Sequence, residues 1–86
     1  MNKEIPFSDQ DILSGAIIDI DDVPLLTVEK VYRTGEKTFE AIATNKRDKR
    51  YTVDIVTEEK LPEDITVGDI LHCAWEDVDI TEDGVA

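Results

Sequence analysis

Alternation of apolar and polar residues predicts β-strands over most of this chain. In "YTVDIVT", Tyr51, Val53 and Ile55 alternate with Thr52 and Asp54, as in a strand with one buried face. The segments "LLTVEKVYR" and "KTFEAIATN" are rich in β-branched and aromatic residues. "TGEK" offers a tight turn between them, and "NKRDKR" predicts a hairpin loop before "YTVDIVT". "AIIDI" is a shorter alternating segment, so the pattern indicates successive antiparallel strands.

Two further segments near the C-terminus are predicted to be extended. "ILHCAWE" is apolar on both faces, which is typical of a central strand. In the following "EDVDI", Val78 and Ile80 form an apolar edge, and Asp77 and Asp79 form a carboxylate edge. We expect the apolar edge to pack on the core and the carboxylates to face water, roughly 6.5–7 Å apart.

The N-terminal segment "PFSDQDILSG" predicts a short helix at about residues 8–14. Ser8 is a good N-cap and Gly15 can end the helix. Phe7 and Ile12 occupy the positions of a hydrophobic staple. A helix of this length is not stable alone, so we expect it to dock on the sheet.

Together these elements predict a mainly β (α+β) fold, namely a small antiparallel five-stranded meander or barrel with one short N-terminal helix. A chain of 86 residues makes one domain. We expect a β-rich body over about residues 16–80 and a frayed C-terminal tail at 81–86.

The stretch "LPEDITVGDIL" resembles the last part of a family of very small acidic bacterial proteins of unknown function. The matching positions are Leu61, Pro62, Glu63, Gly68, Asp69, Ile70 and Leu71. In that family, this motif introduces the last strand of a small barrel. The resemblance therefore implies a β-barrel with a strand at Ile70 and Leu71, and it implies no activity.

Composition restricts the classes of partner. The net charge is −12, from 9 basic and 21 acidic residues, which argues against direct binding to nucleic acid or to an anionic membrane. No apolar run is long enough to span a bilayer, and the first ten residues lack a hydrophobic signal core. Cys73 is the single cysteine, so we expect a cytoplasmic protein without disulfides.

The sequence contains no complete catalytic or metal-binding motif. His72 and Cys73 are adjacent, but neighbouring side chains on a strand point to opposite faces, so we expect a buried structural Cys73 and a surface His72. "DVDITEDG" begins like a calcium loop but has Glu82 where the loop needs glycine. The sequence therefore predicts no catalytic centre, no metal site, no cofactor and no enzymatic activity.

The functional hypothesis is based on how basic and acidic residues are distributed along the chain. Residues 1–27 hold one lysine and six acids, residues 28–50 hold seven basic residues and four acids, and residues 51–86 hold one lysine and eleven acids. Such an excess of negative charge is larger than solubility requires. In size and charge the chain resembles the DNA-mimic inhibitors, a class of small acidic proteins, many from bacteriophages.

This resemblance implies a non-enzymatic inhibitor that occupies the basic nucleic-acid-binding surface of a host protein, such as a nucleoid protein, a glycosylase, a nuclease or RNA polymerase. The predicted partner-binding residues are acidic: Asp77, Asp79, Glu76, Glu82, Asp83, Glu58, Glu59, Glu63, Asp64, Asp19, Asp21 and Asp22. The alternatives are a housekeeping β-barrel that binds a protein through its apolar surface or the basic loop, a subunit or regulator of an enzyme, and a solvated acidic face with no partner.

Overall fold

The computed structural model describes residues 3–9, 17, 18 and 25–85. Within them lie six strands and one helix, named here in chain order: β1 Lys3–Ile5, β2 Ile17–Ile18, β3 Leu26–Arg33, β4 Thr38–Thr44, β5 Lys49–Thr57, α1 Val67–His72 and β6 Trp75–Val85. The mainly β class predicted from the sequence is confirmed.

All the strands of the described part join one antiparallel sheet. Strands β3, β4, β5 and β6 follow one another as a meander, and β1 and β2 both pair with the free edge of β3. The sheet thus has six strands instead of the predicted five. In the described residues β1 and β6 remain at opposite edges, so the sheet is open and closure into a barrel is not seen.

The two hairpins form where the turn residues predict them. In the first, the backbone N–H groups of Thr34 and Gly35 donate to Thr38 O at 3.0 and 3.2 Å. In the second, Asp48 adopts φ 61°, a left-handed conformation that aspartate tolerates better than most residues. Strand β5 begins at Lys49, so the loop is shorter than the predicted "NKRDKR" segment.

The predicted central strand "ILHCAWE" is wrong, because its first three residues, Ile70 to His72, belong to α1 and only Trp75 and Glu76 are extended, in β6. Thr66 caps this helix: its side chain accepts from the Asp69 N–H at 3.1 Å, and the Asp69 carboxylate accepts from the Thr66 N–H at 3.2 Å. This reciprocal pair is a capping box. Val67 and Ile70 then bury on one side of the helix. The strand that the bacterial family resemblance implied at Ile70 and Leu71 is contradicted in the same way.

Strand β6 is longer than the sequence predicts. It begins at Trp75 and extends through Val85, so residues 81–85, predicted to be frayed, pair with β5. The predicted N-terminal helix at 8–14 lies, apart from Ser8 and Asp9, outside the described residues. No helix within the described ranges is long and apolar enough to cross a membrane.

The core lies on one face of the sheet. Its fully buried side chains come from β3, β4, β5 and α1, the largest being Phe39, Leu26, Ile55, Ile70, Val31, Val53 and Val67. Partly buried Trp75, Val78 and Ile80 extend this core onto β6. The core thus confirms that Val78 and Ile80 pack inward. The helix and the connection before it cover this face, and no described element covers the other.

Arg33, at the end of β3, joins the first hairpin turn to the connection between β5 and α1. Its guanidinium donates to Gly35 O at 3.0 Å and Glu36 O at 2.9 Å in the turn. It also donates to Leu61 O at 2.7 Å and Pro62 O at 2.8 Å in the connection. The same group lies 5.3 Å from the centre of the Phe39 ring, within range of a cation–π contact.

Replacing Arg33 by Met should therefore lower the free energy of unfolding by about 1.5–3 kcal/mol, because four carbonyl acceptors lose a charged donor. Urea denaturation followed by tryptophan fluorescence measures this change. Lys60→Met removes only an exposed ion pair with Glu36 and should cost less than about 1 kcal/mol. Equal midpoints for the two variants would contradict the role given to Arg33.

Candidate functional site

Strand register brings carboxylates from four strands into one row across the uncovered face of the sheet. Asp79 of β6 lies opposite Asp54 of β5, and Asp54 lies opposite Glu40 of β4. Glu40 then faces Tyr32 of β3, which faces Glu4 of β1. Directly opposed residues share a face of an antiparallel sheet. We call Glu4, Glu40, Asp54 and Asp79 the acidic row.

The acidic row has a fixed geometry because each member is held by a different strand. Neighbouring strands lie about 4.8 Å apart, so the row from β1 to β6 is about 19 Å long. Asp54 and Asp79 are exposed, and Glu40 is half-buried between its neighbours. The row therefore presents three carboxylates on adjacent strands, Glu40, Asp54 and Asp79, and a fourth, Glu4, beyond Tyr32.

Two further carboxylates on the same face enlarge this surface. Asp77 lies opposite Val56, two residues along β6 from Asp79. Asp83 accepts a hydrogen bond from the Thr52 hydroxyl, which also lies on this face. The six carboxylates together are called the acidic face. Within the described ranges, Lys30 and Arg50 are the basic residues on this side, and they lie toward the β4–β5 loop.

None of the six carboxylates forms an ion pair within the described part of the chain. The two ion pairs found there join Lys49 to Glu82 at 3.4 Å and Lys60 to Glu36 at 3.3 Å. Asp77 accepts only a local hydrogen bond, from the Val78 N–H at 2.9 Å. No ion pair within the described residues therefore neutralises the acidic face.

The predicted partner-binding residues of β6 do not all join the acidic face. Asp77, Asp79 and Asp83 do. Glu82 lies opposite Tyr51, whose side chain points to the core side, and it pairs with Lys49. Glu76 is the extra residue of a bulge between Trp75 and Asp77.

A second predicted group lies away from the acidic face. Its members are exposed residues of the connection between β5 and α1: Glu58, Glu59, Glu63 and Asp64. This connection packs on the core side, where Leu61 and Ile65 contact the core. It therefore separates these carboxylates from those of the row. The predicted extension through Asp19, Asp21 and Asp22 lies outside the described residues.

Sequence reasoning missed Glu4, Glu40 and Asp54 as members of the site. Glu40 and Asp54 alternate with apolar residues in "KTFEAIATN" and "YTVDIVT", and Glu4 precedes the apolar Ile5. That alternation predicts a solvent-facing position for each carboxylate but not its neighbours. The hairpin between β4 and β5 sets the register that aligns Glu40 with Asp54, and the pairing of β1 with β3 places Glu4 in the same row.

His72 and Cys73 lie at the end of α1, not on the strand that the sequence predicts. His72 is exposed and Cys73 is half-buried. The Cys73 thiol donates to Ile70 O at 3.1 Å, and the Trp75 indole donates to the same carbonyl at 2.8 Å. Burial raises the pKa of the Cys73 thiol. Through these contacts Cys73 has a structural role at the end of α1.

Metal-binding geometry is not found in the described part of the chain, where no group of three or more His, Cys, Asp or Glu residues converges on a common point. Comparisons with protein families, curated proteins and solved structures found no match to this chain. Function is therefore inferred from geometry and charge.

Asp54 is the centre of the acidic row, with a carboxylate directly opposite on each side. Opposed like charges destabilise a sheet, so Asp54→Asn should raise the free energy of unfolding by on the order of 1 kcal/mol at low salt. The gain should shrink at high salt, because ions screen the repulsion. Urea denaturation at two salt concentrations measures both effects. Glu58→Gln, an equal change of charge off the row, should give a smaller gain; an equal gain would mean that net charge alone matters.

The raised pKa of Cys73 predicts slow alkylation of the folded protein. Iodoacetamide reacts with the thiolate, and a raised pKa leaves less thiolate at pH 8 than in the unfolded chain. Mass spectrometry of samples quenched over time, with and without urea, gives the two rates. A native rate equal to the unfolded rate would contradict the burial of this thiol.

Proposed function

We propose that this protein is a non-enzymatic binding protein whose acidic face occupies the basic nucleic-acid-binding surface of a partner, as DNA-mimic inhibitors do. The observation that supports this function is the acidic row, in which four strands each place one carboxylate on a single uncovered face. The partner is recognised by its chemistry: a groove or saddle of lysine and arginine side chains that otherwise holds phosphates.

Two spacings make the acidic face suitable for such a groove. Carboxylates on adjacent strands lie about 4.8 Å apart, and those two residues apart along β6 lie roughly 6.5–7 Å apart. A grid of this kind offers several anions at once to cations that are spaced for a polyphosphate chain. Because the sheet fixes the backbone of the grid before binding, little backbone entropy is lost on association.

Charge also favours this partner class over others. The net charge of −12 attracts a basic protein from a distance and repels nucleic acid, so the protein would compete with DNA without binding it. The rival function, a housekeeping module that binds through apolar contacts, predicts affinity that changes little with salt. The two functions therefore differ in a measurable property.

The test begins with a bacterial lysate passed over the immobilised protein and eluted with a salt gradient. Capture alone supports neither function, so the recovered partner is next titrated with labelled duplex DNA and with this protein in competition. Under the proposed function, the protein displaces the duplex, and its affinity falls as salt rises. Simultaneous and independent binding of both would overturn the proposal.

Variants locate the contact surface. Asp77→Asn together with Asp79→Asn keeps the size of both side chains and should lower the association rate about tenfold, because electrostatic steering weakens. The fold should survive, since neither side chain packs in the core. The matched control is Glu58→Gln with Glu59→Gln, which removes the same charge from the connection on the other side. If the control pair lowers the rate equally, the acidic face is not the contact surface.

A further inference from the structure

A cationic cleft lies at the tip of the β4–β5 hairpin, apart from the acidic row. It has a volume of about 460 Å³ and is lined by Leu25, Asn45, Lys46, Arg47, Lys49 and Tyr51. We call it the hairpin cleft. Of the six lining residues that the structure describes, three are basic, in a chain where acids outnumber bases by 21 to 9.

Among the described residues, two of these cations have no carboxylate partner. Lys46 and Arg47 are exposed, and neither forms an ion pair in the described part of the chain. Lys49 has a partner, Glu82, at 3.4 Å. Lys46 and Arg47 are adjacent and lie beside Lys49 in the lining of the cleft, so their positive charges add at the hairpin tip and attract an external anion.

The turn that carries the cations is rigid. The side-chain oxygen of Asn45 accepts from the Arg47 N–H at 2.8 Å and from the Lys49 N–H at 3.1 Å. Its amide nitrogen lies 3.4 Å from the Tyr51 hydroxyl and donates to it. The Asp48 N–H donates to Asn45 O at 3.1 Å, with Asp48 at φ 61°. The backbone that positions the three cations is therefore set before any ligand arrives.

We infer that the hairpin cleft binds a small organic phosphate. A guanidinium beside two ammonium groups matches a phosphate, which accepts paired hydrogen bonds from arginine and point charges from lysine. The volume of the cleft exceeds that of a bare phosphate and falls in the range of small-molecule sites. Leu25, which is 44% exposed, supplies an apolar surface for the organic part of the ligand. This inference does not depend on the proposed function.

The test is an NMR titration of the ¹⁵N-labelled protein with adenosine monophosphate, inorganic phosphate, adenosine and a short DNA duplex. We expect the amide signals of residues 45–49 to shift with adenosine monophosphate, to shift less with inorganic phosphate, and not to shift with adenosine. Shifts spread evenly over the chain, or equal shifts with adenosine, would overturn the inference. So would shifts at the cleft with the duplex but none with the mononucleotide, because the ligand would then be a nucleic-acid backbone.

Variants separate a built site from general attraction. Lys46→Gln with Arg47→Gln should weaken mononucleotide binding about tenfold, because the two free cations are lost. Lys30→Gln with Lys37→Gln removes the same charge elsewhere and should change the affinity less than about twofold. Glu82→Gln should tighten binding, since Lys49 loses its internal competitor. Equal loss in both double variants, or no gain with Glu82→Gln, would contradict the assigned cleft.

Discussion

The layout of the molecule depends on the four hydrogen bonds that the Arg33 guanidinium donates. They attach the turn between β3 and β4 to the connection that leads into α1. Thr57 strengthens the same junction: its buried hydroxyl lies 2.7 Å from Glu59 O, and its N–H donates to Lys37 O at 2.8 Å. With the connection held there, α1 lies on the core side of the sheet. No described element covers the opposite face, where the acidic face lies, and the burial of Val67 and Ile70 holds α1 on the core side together with these contacts.

Much of the sheet was predictable because its pattern is local. β3, β4 and β5 are rich in β-branched and aromatic residues, and their turns contain Gly35 and Asn45, so the meander follows from neighbouring residues. The alternation of Val78 and Ile80 with Asp77 and Asp79 was also sufficient to assign their faces. A short apolar run such as "ILHCAWE" is ambiguous, because a strand and a buried helix look alike at that length. The Thr66 and Asp69 pair was the signal for the helix.

The parts that could not be predicted depend on contacts distant in the chain. Residues 81–85 are polar, with a glycine, and poor strand formers by composition; they are extended because β5 supplies a pairing partner. The acidic row requires four strand registers to agree, with bulges in β3 and β6 that no local pattern indicates. Asp54 and Glu40 are fourteen positions apart in the sequence, yet they are nearest neighbours on the sheet.

Acidic residues on a sheet can protect an edge strand from pairing or can form a binding surface. The strands that carry the carboxylates distinguish these two roles. β6 is an edge strand, and charges on an edge prevent unwanted pairing with other strands, which by itself accounts for Asp77, Asp79 and Asp83. That explanation does not extend to Glu40 and Asp54, because β4 and β5 are paired on both sides. Opposed carboxylates on interior strands cost stability, and a threonine at either place would satisfy the sheet without that cost. Protection of the edge does not require Glu40 and Asp54 to face each other, and their repulsion destabilises the free protein. A partner explains this arrangement, since a bound basic surface would neutralise the repulsion.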